Sequence, residues 1–232
     1  MSDRKTIAGE YSANLLHYLR HRRSVPRKKL ALPGPTESEI KQILEAAARV
    51  SDHGKMFPWW FIVFDQEKKK SYKDLLEKWM SQDMPDKPEE KIEKKARKLM
   101  DAPVCIAVIS SPRRSKIPVW EQFMSVGAAC QNLVLAANAM GYGVNWLTEW
   151  YSYDPRVRES LGLEDHENIA GFFFIGTAED VPEDRDRPDM KAITTYWSED
   201  NMSLNKGGEY SDKKDILDKG KKGFSLGGRF ED

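Results

Sequence analysis

Cysteine is scarce: Cys105 and Cys130 are the 2 in a chain of 232 residues, and both sit in apolar runs. They form no C-x-x-C pair, so the expectation is a reduced protein with two buried thiols. Histidine is nearly as rare, and His17, His21, His53 and His166 lie at spacings that suit no zinc site. No metal is expected. Excess charge of one sign is missing too, since 37 Lys and Arg balance 37 Asp and Glu. A dedicated nucleic-acid binder advertises a basic domain, and this balance argues against one. Met-Ser-Asp-Arg-Lys at the start lacks the apolar core of a secretory signal, which predicts a cytoplasmic protein. Two motifs are also absent. No G-x-S-x-G elbow supports a Ser-His-Asp hydrolase, and no G-x-G-x-x-G joins a strand to a helix as a dinucleotide-binding turn does. Gly141-Tyr142-Gly143 stands in the reverse order, between a helix and a strand.

What is present starts with a long uncharged stretch. Between Phe123 and Met140 no residue is charged, in a chain that is 32% charged. A helix apolar on nearly every side belongs in a core or a membrane. Ser125, Gln131, Asn132 and Asn138 interrupt the run, which argues against a bilayer span. It reads as a central buried helix with small residues for close packing, and other elements layered around it. Before it, helices are predicted over residues 13–22 and from the Thr36/Glu39 capping box to Arg49. A strand follows over 61–65, then two charged amphipathic helices within 66–100 joined by the Met84–Pro88 loop. Val104–Ile109 is a buried strand by composition. After the central helix come a strand near Val144–Leu147, a short helix capped by Asp154, and the buried strand Ile169–Thr177. This order reads as a layered α/β domain of four or five strands, with residues 198–232 as a charged tail. At this length one generous domain can bury a sizeable core.

Chemistry has few places to reside. Arg22-Arg23-Ser24, at a helix end, offers guanidinium forks and a hydroxyl, the inventory of a phosphate site. A solvated helix C-terminus explains the same residues, because cations are favourable there. Arg27-Lys28-Lys29 reads as surface charge. Arg49, Asp52, His53 and Lys55 cluster at a helix–strand junction, the kind of place that lines clefts. Trp120, Trp146, Trp150 and Tyr151 flank the central helix, as core, as interface or as the wall of a planar ligand.

Six segments, in order, resemble the nitroreductase family of flavin mononucleotide (FMN) enzymes. They are Arg22-Arg23-Ser24-Val25; Pro35-Thr36 with Glu39; Ser51 through Trp59; Trp120-Glu121-Gln122; Gly141 through Thr148; and Gly171 through Thr177. The resemblance spans about residues 10–197 and implies an FMN-binding domain over 1–197. It implies an α+β, three-layer sandwich with a central, mainly antiparallel sheet and a buried central helix, paired as a homodimer with FMN at each interface. By the same resemblance Arg22, Arg23 and Ser24 hold the flavin phosphate and ribityl chain. Arg49 and His53 touch the flavin from the next loop, across the dimer. Trp146, Leu147 and Thr148 lie beside the ring, and Arg187 is the late basic residue that meets the phosphate. Two departures stand out: Leu147-Thr148-Glu149-Trp150 has no basic residue where close relatives carry Arg, and the tail after Trp197 has no counterpart.

The implied activity is that of an FMN-dependent oxidoreductase using NADH or NADPH. Hydride passes to the flavin, then to a small electron-poor acceptor such as a nitroaromatic or quinone, in ping-pong order. The cofactor carries the chemistry, and Arg49, or Lys55 in its place, supplies a cation for the reduced ring. No side chain acts as a nucleophile. Two alternatives stay open: the same fold running dehalogenation or oxygen-dependent flavin fragmentation, and a non-enzymatic module binding nucleic acid or a partner. The first reading involves neither nucleic acid nor membrane.

Overall fold

A computed structural model describes residue 7 and residues 9–197. The charged tail expected over 198–232 lies outside the described residues. The strands are β1 (Leu30–Ala31), β2 (Trp59–Phe64), β3 (Val104–Ser110), β4 (Gly143–Leu147) and β5 (Asn168–Ala178). The helices among the described residues are α1 (Ala13–His21), α2 (Glu37–Ala47), α3 (Gln66–Asp83), α4 (Glu89–Ala96), α5 (Val119–Ala139), α6 (Pro155–Ser160) and α7 (Met190–Ile193). Two compact units divide them. Residues 25–181 form one, and the described residues up to 24 with those from 182 form the other.

Within residues 25–181 all pairings are antiparallel, with β5 paired to β1, β3 and β4, and β3 also to β2. Strands alternating with helices suggested an α/β layering; the sheet is instead that of an α+β sandwich. The connections explain it. Two helices, α3 and α4, bring the chain from β2 back to the end of the sheet it left, so β3 runs antiparallel beside it. The single helix α5 returns the chain to its starting end, so β4 runs the same way as β3, and β5 pairs antiparallel with both.

Side chains alternate across a strand, and β3 sends them into two separate cores. Cys105, Ala107 and Ile109 pack with Leu76 and Met80 of α3, Ile92 of α4 and Val157 of α6. Val104, Ile106 and Val108 pack with Ile43 of α2 and with Val126, Leu133 and Ala137 of α5. Three layers result. Local signals set the helix ends. Thr36 and Glu39 close the capping box, Asp65 accepts from the Lys68 amide, and Asp154 accepts from the Arg156 amide. Strand β2 begins at Trp59, two residues before the apolar run suggested, because the ladder extends through Trp59 opposite Ser110.

Two expectations change. Helix α5 is not wrapped on all sides: Val126, Ala129, Leu133 and Ala137 pack into the core with the sheet and α2, while Trp120 and Met124 stay 61% and 59% exposed. Its composition lacks a polar face, but the sheet covers only one. Lys69, inside the Lys68-Lys69-Lys70 run that charge places on the surface, is fully buried. Its Nζ donates to the carbonyls of Ala102 and Pro103, and burial pushes its pKa down. No helix among the described residues is long and apolar enough to cross a membrane.

In the smaller unit, α1 is capped by the Ser12 hydroxyl, which accepts from the Leu15 amide, and it has no buried residue. Leu15, Leu16 and Leu19 share one side and remain exposed.

Leu133, fully buried between α5 and the sheet, tests how much this layer matters. Leu133→Ala should cost about 2–5 kcal/mol of unfolding free energy. Urea unfolding followed by tryptophan fluorescence should show a lower midpoint with an unchanged slope; an unshifted midpoint would contradict the packing described.

Candidate functional site

The smaller unit gathers the basic residues singled out from the sequence. The Arg22 amide donates to Tyr18 O at 2.8 Å and ends α1. Beyond the helix end, Arg22 Nη2 reaches Ser24 Oγ at 3.4 Å. Arg22 Nε is buried and has no hydrogen-bond partner among the described residues. Arg23 Nε donates to Glu183 O at 2.9 Å, which ties this segment to the one carrying Arg187. Arg187 Nη2 lies 2.8 Å from Asp184 Oδ1. The Asp184 carboxyl is held below its ordinary range by the Arg185 amide first, and then by the charges of Arg187, Arg23 and His21. Arg22, Arg23, Ser24 and Arg187 therefore belong to one basic constellation, although more than 150 residues of chain separate its halves.

In the larger unit a second constellation is built along α5, which acts as a ruler for the loop after α2. Asn132 Nδ2 donates to Arg49 O at 2.9 Å and to Ala46 O at 3.3 Å, tying the end of α2 to α5. Ser125 Oγ donates to Ser51 O at 2.9 Å. Glu121 Oε2 sits 2.6 Å from His53 Nδ1. Glu121, Ser125 and Asn132 lie on one stripe of the helix and hold the loop at three heights. The loop itself is strained. Gly54, Lys55 and Phe57 all have positive φ, and the Asp52 carboxylate holds the turn by accepting from the Phe57 amide at 2.8 Å. Such strain persists only where the surroundings over-determine it, and it gathers at functional sites. The Arg49 side chain is exposed and pairs with no carboxylate among the described residues. Lys55 is likewise exposed and unpaired.

Strand β4 carries the third group. The Trp146 ring stacks on Phe173, with centroids 5.2 Å apart, and its Nε1 donates to Ala170 O at 3.3 Å. It lies over Gly171, where an added Cβ would come within 2.2 Å of Nε1. A glycine is required under this indole. Leu147 pairs with Phe172, and Thr148 Oγ1 accepts from Tyr153 OH at 3.0 Å. The residue after it, Glu149, is pinned by Arg27 at 3.0 Å and Lys98 at 3.1 Å, and Arg27 also holds Asp101 at 2.8 Å. Tyr151, one of the aromatic residues open to a ligand-wall role, is core: it is fully buried, edge-on to Phe172 at 4.9 Å. Trp146 remains 39% exposed.

A three-layer α+β sandwich with these motifs in this order now has comparisons to set beside it. A model described as the Nitroreductase family matches residues 19–177. The chain belongs to the nitroreductase family. It is 34% identical to the Haemophilus influenzae protein named “Putative NAD(P)H nitroreductase” over 172 residues, 73% of this chain and 92% of the relative. Among solved structures it is similar to the nitroreductase-like family protein from Bacillus cereus. That match has a TM-score of 0.70 at 20% identity and covers 82% of this chain and 99% of the other. It is also similar to the nitroreductase with bound FMN from Bacteroides fragilis, with a TM-score of 0.60 at 20% identity, over 80% of this chain and 100% of the other. At these identities the structural matches speak for the fold.

For a nitroreductase-family chain the chemical inventory is consistent. Burial pushes both thiols, Cys105 and Cys130, up to about 12, which leaves no ready thiolate nucleophile. No group of three or more His, Cys, Asp or Glu residues among the described residues could hold a metal ion. The family match ends at 177, so Arg187 enters the constellation through its own contacts. Three pairings escaped the sequence. Nothing in the spacing links Glu121 to His53, or Arg27 and Lys98 to Glu149.

Asp184 reports on the basic constellation. Its carboxyl should titrate below the ordinary 3.8. A depressed folded value means the carboxylate contributes stability above the unfolded pKa, and that contribution is lost as pH falls through the folded one. Arg187→Ala should move the midpoint upward, but not fully, because the Arg185 amide remains. An NMR titration of the Asp184 carboxyl checks this, and an unchanged midpoint would remove Arg187 from the cluster.

Proposed function

We propose that this chain is an FMN-dependent oxidoreductase. It takes reducing equivalents from NADH or NADPH and delivers them to a small electron-poor acceptor such as a nitroaromatic or a quinone. Arg22 Nε carries the reading. A buried guanidinium nitrogen without an acceptor costs free energy until a ligand supplies one, and charged groups lose most when left unpaired. An anionic phosphate suits the donor set of Arg22, Arg23, Ser24 and Arg187, where forked guanidinium groups meet phosphate oxygens two at a time. The flavin phosphate is that anion in this reading. Family membership and the FMN-bound structure from Bacteroides fragilis support the choice.

When bound, FMN supplies the electron-transfer chemistry, and the protein supplies binding, orientation and electrostatics. Arg22, Arg23 and Arg187 bind the phosphate, with the Ser24 hydroxyl as a further donor. Arg49 brings positive charge that no carboxylate among the described residues cancels, suited to an electron-rich reduced cofactor; Lys55 is the substitute. His53, oriented by Glu121, is a polar contact from the same loop. Trp146, Leu147 and Thr148 form a wall whose indole is held by the Phe173 stack and the Ala170 carbonyl. No separate dinucleotide-binding segment stands elsewhere in the sequence, so one open face receives both substrates in turn.

The working form in this reading is a homodimer. The outward stripe of α5 supports it: Met124 is exposed and Gly127 has nothing within 4 Å of where a Cβ would stand, followed by Ala128 one position on. Small residues on an apolar face let a second helix approach closely, and a two-fold axis would set this patch against itself.

Two measurements test the proposal. Arg22→Ala with Arg23→Ala removes charge-assisted hydrogen bonds worth about 1.5–3 kcal/mol each, so flavin should bind at least about tenfold more weakly. Light scattering with simultaneous absorbance near 450 nm should show a wild-type dimer carrying flavin and a double mutant that has lost it. A flavin-loaded monomer, or full flavin occupancy in the double mutant, would refute the assignment. Steady-state kinetics should give parallel double-reciprocal plots, with each substrate competing against the other, as sequential use of one face requires. Intersecting plots would mean a second nucleotide site.

A further inference from the structure

Between β3 and α5 runs a segment to which the proposed function assigns no role. Its Arg113, Arg114 and Lys116 are all exposed, and none pairs with a carboxylate among the described residues. In the same unit Arg27, Lys73, Lys98 and Arg156 each hold a carboxylate, while other exposed cations, such as Lys91, Lys94 and Lys95 on α4, pair with none among the described residues. In a chain with no net charge, three neighbouring unpaired cations call for an anion from outside.

The segment is held firmly enough to be a site. Gln122, 2% exposed in the first turn of α5, clamps it from beneath. Its Oε1 accepts from the Arg113 amide at 2.7 Å, and its Nε2 donates to the Arg113 carbonyl at 2.9 Å. The Ser115 hydroxyl accepts from the Ile117 amide at 3.0 Å. Ser111 N donates to Pro58 O at 2.8 Å, and the Ile117 side chain lies against Gly54 so closely that an added Cβ would meet it at 2.3 Å. The three cations are thereby built onto the same surface as the loop that carries His53 and Lys55. Nearby, Glu121 Oε2 lies 2.6 Å from His53 Nδ1, and Asp52 Oδ2 accepts from the Phe57 amide at 2.8 Å while its buried Oδ1 has no partner among the described residues.

We propose that Arg113, Arg114 and Lys116 bind the 2′-phosphate of the reductant, so that the enzyme prefers NADPH to NADH. The inference rests on the reading that this chain oxidises a reduced nicotinamide dinucleotide. The 2′-phosphate is the group by which the two dinucleotides differ. A phosphate monoester carries nearly two negative charges at neutral pH and presents three acceptor oxygens. Two guanidinium forks and an ammonium match that charge and geometry. NADH leaves the ledge with unpaired cations, which neither helps nor prevents its binding.

The test has a binding arm that is independent of turnover. Purified protein, its flavin content recorded, is titrated calorimetrically with 2′,5′-ADP, with 5′-AMP and with inorganic phosphate. 2′,5′-ADP should bind at least tenfold more tightly than either, and 0.5 M salt should weaken it, as exposed charge contacts require. In the turnover arm, the Arg113→Gln, Arg114→Gln, Lys116→Gln triple variant should lose tenfold or more in kcat/KM for NADPH and distinctly less for NADH, with flavin content unchanged. Arg114→Gln alone should shift the NADPH-to-NADH ratio in the same direction, which covers the case of a triple variant that folds poorly. Equal affinity for 2′,5′-ADP and 5′-AMP, or an NADPH-to-NADH ratio unmoved by Arg114→Gln, overturns the inference. A protein that discriminates 2′,5′-ADP but oxidises neither dinucleotide supports the phosphate site and removes the oxidoreductase reading instead.

Discussion

Strand β5 is the constraint on which the larger unit depends. Phe172, Phe173 and Phe174 are consecutive and fully buried, and alternation sends the middle ring to the α2/α5 side and the outer two to the α3/α4 side. Each ring buries well over 100 Å² of apolar surface in such a position, so three together anchor both cores. The same backbone pairs with β1, β3 and β4. A slip of one residue would exchange the faces of every side chain along it. The Trp146 position follows from this register: Trp146 opposite Phe173 in the ladder, with Gly171 leaving room for the indole.

Helix α5 does two jobs because its sequence is apolar all round while the sheet covers only one side. The inward stripe fills the core. Its polar positions organise what lies beside it, with Glu121, Ser125 and Asn132 fixing the loop from Arg49 to His53 and Gln122 fixing the segment at Arg113. Two stretches of chain rich in unpaired cations are thus mounted on one rigid element, which is how a site gains precision over one carried on free loops.

Charge is distributed with a pattern. Arg27, Lys98, Asp101 and Glu149 neutralise one another behind β4, and each is largely withdrawn from solvent. The missing basic residue after Thr148 therefore has a structural counterpart: Glu149 stands there and is spent on a network that holds the end of β4. Arg49, Lys55, Arg113, Arg114 and Lys116 are by contrast exposed and pair with no carboxylate among the described residues.

Much of the architecture was legible in the chain itself. The Thr36/Glu39 capping box, the Asp154 cap and the apolar run from Val104 are local signals, and local signals set helix starts and strand cores whatever surrounds them. The family resemblance likewise rested on short motifs whose order survives translation into sequence. Tertiary structure alone decided the rest. Lys69 is buried because two carbonyls 33 and 34 residues away meet its ammonium group. His53 is oriented by a carboxylate 68 residues on, and Arg23 is tied to a carbonyl 160 residues on. The antiparallel order of the sheet depends on how many helices each connection holds and on which strand lies between, and α5 leaves Trp120 and Met124 exposed because the sheet and α2 together cover only part of its circumference. Composition and periodicity describe a residue's neighbours along the chain, whereas burial, pairing and charge are set by neighbours that only the folded backbone brings within a few ångströms.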